Sequence, residues 1–258
     1  MRALYRATTI KSRRGVTIRL AIIAASAVQD RVILNRGLAV SALLPIFPLD
    51  LVLLPGVPVP LHIFEPRYKE MIKECLEQTQ SFGIVRSKEK GEGTDPEFAN
   101  QEFANQGFAN IGCTAEILNV LKAYPDGSMN ILTEGRRRFE VLQINQERSF
   151  FQAEVFYLED ENDPPAAAAI EKAIQLHGEI MKLAGAHPEQ LEESDKTQLA
   201  YRLAGSLPFD PDFQQALLEM NSEAARVREV ISFFERILPV LQRSAEAKHR
   251  AGGNGHVN

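Results

Sequence analysis

The residues best placed to do chemistry in this chain sit together in one heptapeptide, His62-Ile63-Phe64-Glu65-Pro66-Arg67-Tyr68. A histidine, a carboxylate and a guanidinium within six positions could act as base, acid and anion clamp. The rest of the sequence gives them nothing to act with. The nucleophile-elbow pattern G-x-S-x-G, the zinc-protease pattern H-E-x-x-H and the dinucleotide fingerprint G-x-G-x-x-G do not occur. The phosphate-binding loop G-x-x-x-x-G-K-[ST] is also absent, since no glycine is followed by lysine. His62, His177, His187, His249 and His256 are scattered without metal-ligand spacing, and Cys75 and Cys113 form no C-x-x-C pair. The expectation is therefore no catalytic residue, no metal and no cofactor. His62 reads as a structural histidine at a strand end, and the cysteines as buried thiols. An enzyme built on His62, Glu65 and Arg67 stands as a rival reading.

A second polar cluster, Arg136-Arg137-Arg138, follows Gly135 in an apolar stretch. Alternation along a strand would send at least one of the three guanidinium groups to the face opposite the others. Arg136 and Arg138, with Arg67, are expected as charges on a barrel rim, paired with carboxylates, rather than as a phosphate clamp. The overall charge supports that choice. The chain carries a formal −5, but residues 1–40 hold eight basic residues against the single acid Asp30, which leaves 21 basic and 33 acidic residues over 41–258, about −12. Such a body repels polyphosphate, so nucleic acid is not the expected partner. RNA binding by a basic face is the alternative.

The basic leader itself has three readings. Its nine-residue apolar run, Leu20 to Val28, imitates an export signal poorly and falls far below the roughly 18 residues of a membrane span. Its arginines would suit a transit peptide. The reading adopted is a basic extension over 1–40, either disordered or upstream of a true start near Val40. No membrane segment and a cytoplasmic location are expected.

The elements that must position these groups follow from the apolar pattern. Prolines at 45, 48, 55, 58 and 60 forbid a helix between Leu44 and Ile63 and allow short strands and turns. Pro66 then suits the first turn of a helix in which Tyr68, Met71, Ile72 and Cys75 share a face. Strands are predicted at Phe82 to Arg86, Ile111 to Ala123, Met129 to Gly135, Phe139 to Ile144 and Phe151 to Tyr157, with a hairpin turn at Tyr124 to Ser128. The period-five repeat FANQE-FANQG-FAN, with Phe98, Phe103 and Phe108 in register, reads as a duplicated loop insertion. Beyond Asp160 four amphipathic helices are expected, capped by Asp163, Asp195 with Gln198, Asp210, and Asn221 or Ser222. The predicted division is a β-rich unit over 41–160, a helical unit over 161–245 and a loose tail over 246–258.

Two strings carry a resemblance. LPIFPLDLVLLPGVPVPLHIFEPRY, Leu44 to Tyr68, and ILTEGRRRFEVLQI, Ile131 to Ile144, resemble the opening and the E-G-x-x-R-F strand of the Lon protease substrate-binding domain. The helical string from Ala200 to Phe234, with its leucine-proline turn followed by Leu217-Leu218-Glu219, is similar to the helical part of that region. The resemblance implies an α+β fold: a PUA-like small β-barrel with an inserted helix, followed by a C-terminal helical bundle. It also implies a stand-alone recognition module, without ATPase or protease parts, that binds an unfolded or extended polypeptide or another protein partner in quality control. Homo-oligomerisation is left open. The groove is expected at the barrel–bundle junction, near Pro58, Pro60, Ile63, Phe64 and Tyr68.

Overall fold

Arg138 and Arg226 are 4% and 0% exposed, and the elements of the fold are arranged around them. The computed structural model describes residues 43–87, 107–185, 198–207 and 210–252, with side chains to 246 in the last segment. The basic extension, the first two copies of the FAN repeat, the Asp195 cap and residues 253–258 lie outside the described residues.

Six strands, β1 (Leu44–Leu49), β2 (Pro58–Ile63), β3 (Phe82–Arg86), β4 (Ile111–Ala123), β5 (Met129–Asn145) and β6 (Phe151–Tyr157), follow one another with a single helix, α1 (Pro66–Gln78), between β2 and β3. Their order is β2-β5-β4-β3-β1-β6, and β6 also pairs with β5. That last pairing closes β5-β4-β3-β1-β6 into a ring, with β2 attached to the outside of β5. The expected small barrel is therefore present. One feature differs from the predicted pattern: Met129 to Gly135 and Phe139 to Ile144 belong to one continuous strand of 17 residues. A single strand can serve both segments because β5 is irregular. Ala115 faces Gly135 but Cys113 faces Arg138, so β5 carries one extra residue there. A bulge of this kind bends the strand and resets which side chains face inward.

The interior of the ring is filled by Leu44, Ile46, Val85, Phe139, Val141 and Ala153, all from strands. Glycines make room for the Phe139 ring: a Cβ on Gly83 or on Gly112 would lie 2.7 Å from its Cζ. Gly135 serves the other side. Its own Cβ would lie 2.1 Å from the carbonyl oxygen of Leu54, and its carbonyl accepts from the Gly56 N–H at 2.8 Å. The Leu54-Pro55-Gly56 turn thus lies against Gly135, and the two most recognisable strings of the sequence meet each other in the fold. Val57 continues the turn onto Gly205, whose Cβ would approach its Cγ2 to 2.5 Å.

Outside the ring, Phe47, Phe82 and Ile84 join Tyr68, Met71, Ile72 and Cys75 of α1 and a long list of helical residues in one larger core. The helices are α2 (Ala167–Leu183), α3 (Leu199–Gly205), α4 (Pro211–Glu219) and α5 (Glu223–Gly252). Asp210 caps α4 through the Asp212 N–H at 2.9 Å, and Ser222 caps α5 through the Ala225 N–H at 3.1 Å, both as expected from their types. Asp163 does not cap α2. That helix begins four residues later, at Ala167, without a side-chain cap, and Asp163 instead accepts from Ser222 Oγ at 2.7 Å. The helix backbone of α5 extends to Gly252, into the segment expected to be loose. Burial raises the Cys75 thiol to about 11 and the Cys113 thiol to about 12, which keeps both protonated and unreactive near neutrality.

Barrel and helices are joined through charge. Arg138 Nη1 donates to the carbonyls of Leu218 at 2.9 Å and Met220 at 2.7 Å, and Nη2 donates to Asp160 at 2.6 Å. Arg226 donates to both oxygens of the same Asp160, to the Met220 carbonyl at 2.8 Å and to Glu223 at 2.9 Å. Glu223 in turn accepts from the Ala200 N–H at 2.9 Å, and so covers an open donor at the start of α3. Two cations and two anions balance, and the Tyr201 ring lies 4.4 Å beneath the Arg226 guanidinium.

Two consequences can be measured. Arg138→Met keeps an unbranched apolar stem but strands the Leu218 carbonyl, so it should cost about 3 kcal/mol or more in urea unfolding. His177 is buried on α2, with Nε2 at 2.7 Å from Ser206 Oγ, and burial lowers its pKa. Below its unfolded value the open chain binds the proton more readily than the folded one. Stability should therefore fall as pH drops below about 6.5. His177→Gln should flatten that part of the pH–stability curve.

Candidate functional site

β2, the distal part of β5 and the distal part of β4 form a three-stranded arm that reaches past the ring, since β3 pairs with β4 only as far as Ala115. Alternation along β2 decides what the arm shows. Leu61 and Ile63 turn inward, whereas Pro58, Pro60 and His62 are exposed on the other face, and Phe64 follows them at 61% exposure. On β5, opposite this outer face, stand Glu134, Leu132 and Asn130. The centre of the face is thus Pro60 beside Leu132, with polar groups at either end.

The predicted site residues separate here. Ile63 is 1% exposed and Tyr68 4%; both face the core, where the Tyr68 ring lies 4.1 Å from that of Phe47. Neither can meet a partner while the barrel is closed. Their place is a correction to the expected groove, and the physical reason is the period of two along β2 and the inward face of α1. Where the barrel meets the helices, both lie in one packed core with residues of α2, α3, α4 and α5. Pro58, Pro60 and Phe64 do share one accessible face.

The charges separate as well. Arg67 does not reach across the barrel; it pairs with Glu65 two residues back at 2.8 Å and lies over the Tyr68 ring at 4.5 Å. Arg136 is exposed on β5 and bonded to Glu116 and Glu134, each at 2.5 Å. Arg137 lies over Tyr157 and pairs with Glu159 at 3.0 Å. Arg138 is no rim charge. The bulge at 136–137 turns it inward, onto Asp160 and the end of α4.

His62 sits at the end of the face in a small polar–aromatic group. Its Nδ1 is 2.6 Å from Asn130 Oδ1, its ring stacks on Phe64 at 5.7 Å, and the Tyr124 ring meets it edge-on at 6.1 Å. Lys122 lies over Tyr124 at 4.6 Å. The arrangement offers stacking and hydrogen bonding. Residues missed by the sequence reading are Leu132 and Tyr124. The β2–β5 register could have pointed to Leu132 only once both strands were known to pair in that phase. On the opposite face of the arm, Leu76 and Met129 share a shallow depression of about 410 Å³ between α1 and the hairpin, bordered by Lys69, Glu70, Lys73 and Glu77.

A closed five-strand ring with one inserted helix, and a helical half joined to it by buried charge, make a fold of the Lon N-terminal type. Residues 43–236 match the model of the ATP-dependent protease La (LON) substrate-binding domain, and the chain belongs to that family. It is 28% identical over 210 residues to the Lon protease of Roseiflexus castenholzii, a match covering 77% of this chain and 24% of that one. With the Lon protease of Cytophaga hutchinsonii it shares 24% identity over 212 residues, 78% of this chain and 25% of the other. The chain thus spans about a quarter of the length of these curated relatives. Among solved structures it is similar to a Lon N-terminal domain protein from Xanthomonas campestris, with a TM-score of 0.54 and 25% identity, covering 74% of this chain and 98% of that one. The N-terminal domain of a Mycobacterium avium complex Lon protease, at 14% identity, a TM-score of 0.50 and coverage of 75% and 98%, shares the fold. The matched domain is a non-catalytic module.

The inward and outward faces of β2 should differ sharply in mutagenesis. Ile63→Ala should destabilise the fold by about 2 to 5 kcal/mol in urea unfolding. Phe64→Ala, one position on, should leave stability within about 0.5 kcal/mol of the parent.

Proposed function

We propose that this chain binds exposed apolar or aromatic segments of extended polypeptides, in a Lon-type substrate-recognition role within protein quality control, and that it performs no catalysis itself. The observation that carries the reading is the outer face of β2, where Pro58, Pro60 and Phe64 stand exposed on a strand held rigidly by β5. Desolvation of this face by an apolar side chain supplies the favourable term. The prolines lower its cost, since a fixed strand loses little freedom on binding. His62 and Tyr124 add stacking and polar contacts for an aromatic residue of the partner.

Charge favours a peptide over RNA. Arg67, Arg136 and Arg137 each have a carboxylate within 3.0 Å, so the arginines nearest the face are already neutralised. Lys122 alone adds little toward a phosphate track.

Fluorescence anisotropy decides between them. Labelled unfolded, Phe-rich peptide should bind the full chain at moderate salt and labelled single-stranded RNA should not. A Phe64→Ala, Leu132→Ser double variant should weaken the peptide at least about tenfold while remaining folded. RNA binding alone, with a steep loss on adding salt, would overturn the reading.

A further inference from the structure

The two edges of the exposed arm are built differently. β2 lies at one edge, and proline has no N–H to give; Pro58 and Pro60 remove two donors that would otherwise face a newcomer strand. β4 forms the other edge from Glu116 to Ala123, with β5 on one side and, among the described strands, none on the other. No proline blunts it, and its residues read Glu116-Ile117-Leu118-Asn119-Val120-Leu121-Lys122. Two register shifts fall within this stretch, between Ile117 and Asn119 and between Val120 and Lys122. The residues displaced from the ladder are Leu118 and Leu121, both large, apolar and exposed, Leu121 at 57%.

Read backwards, the heptapeptide complements itself. If two such strands run antiparallel with Asn119 opposite Asn119, Glu116 of each meets Lys122 of the other. Ile117 then meets Leu121, and Leu118 meets Val120. Self-complementarity of one patch about its own centre is the requirement for a two-fold interface. We propose that the β4 edge is a homodimerisation surface, closed by a second copy of this chain pairing strand to strand through Glu116 to Lys122.

The bulges constrain the occupant. Each one increases the local twist of β4 and interrupts its ladder, so a pairing strand must share that twist. A second copy carries the same two bulges at symmetry-related positions, so its twist matches. The charges agree: Glu116 already accepts from Arg136 and Lys122 lies over Tyr124, so both are held near the edge, with opposite signs at its two ends. A seven-residue pairing is a small interface, which predicts a reversible dimer rather than an obligate one. The surface is separate from the Pro58–Pro60–Phe64 face, and the dimer stands or falls independently of peptide binding.

Charge reversal tests it on the full chain by sedimentation velocity over roughly 1 to 200 μM, where an interface of this size dissociates. The wild-type chain should shift from monomer to dimer across that range. Glu116→Lys alone and Lys122→Glu alone each place like charges opposite one another twice in the dimer, and each should raise its Kd at least about tenfold. An equimolar mixture of the two variants should regain the dimer, one chain of each, because every cross-strand pair is again opposite in sign. Regained pairing also shows that both variants are folded. A wild-type chain that stays monomeric, single variants that dimerise like wild type, or a mixture that fails to pair each overturns the proposal. So does hydrogen exchange in which an added extended apolar peptide, and not self-association, protects the amides of 116–123.

Discussion

The buried charge cluster of Arg138, Asp160, Arg226 and Glu223 is the constraint on which the rest of the structure depends. Removing two guanidinium groups from water is expensive unless every donor finds an acceptor. Here they are met by two carboxylates and by the backbone carbonyls of Leu218 and Met220. Those partners come from β5, the segment after β6, the end of α4 and the start of α5, and Glu223 extends the contact to α3. No one of these elements can shift without breaking charged hydrogen bonds in a low-dielectric setting. Apolar packing holds the same elements together but would tolerate sliding; the cluster sets their register.

β5 makes the cluster compatible with a closed barrel. Its Phe139 must point into the ring, between Gly83 and Gly112, while Arg138, its neighbour, must point out toward the helices. Neighbouring residues on a strand do point to opposite faces, so those two demands agree. Gly135, however, must face the Leu54 turn, and only the extra residue at 136–137 reconciles it with the phase of Arg138. The same bulge leaves Arg136 and Arg137 on the surface, where carboxylates neutralise them. One irregularity therefore decides both the joint between barrel and helices and the pairing of Arg136 and Arg137 with surface carboxylates.

With the interior committed in this way, the proposed recognition falls to the arm. Its inner face is spent on α1 and the core, and its outer face leaves Pro58, Pro60 and Phe64 exposed. The prolines have two effects there: they stiffen the strand and they close its edge to backbone pairing. The distal part of β4 carries neither protection. It is bulged, leucine-bearing and exposed, in a protein whose other strands are paired within the barrel or blunted.

Local chemistry was enough to read much of this from the sequence. Pro66 started α1, Asp210 and Ser222 capped their helices, and the Tyr124 to Ser128 turn joined two long strands. Each depends on residues within a few positions of one another, where steric and hydrogen-bonding preferences act without help from the fold. Sequence proximity groups Phe64 with Ile63 and Tyr68, yet only Phe64 is exposed, because proximity says nothing about which side of a strand is covered. Asp163 illustrates the same limit: its type suits a helix cap, yet the hydroxyl of Ser222, 59 positions away, takes its carboxylate. Arg138 is the clearest case. Three consecutive arginines look alike in the sequence, and only a bulge set by pairing with β4, together with acceptors presented by distant helix ends, made one of them the buried joint and the other two surface charges. The chain's local patterns determined its elements; burial, and with it the role of each charged and apolar side chain, was decided by long-range pairing.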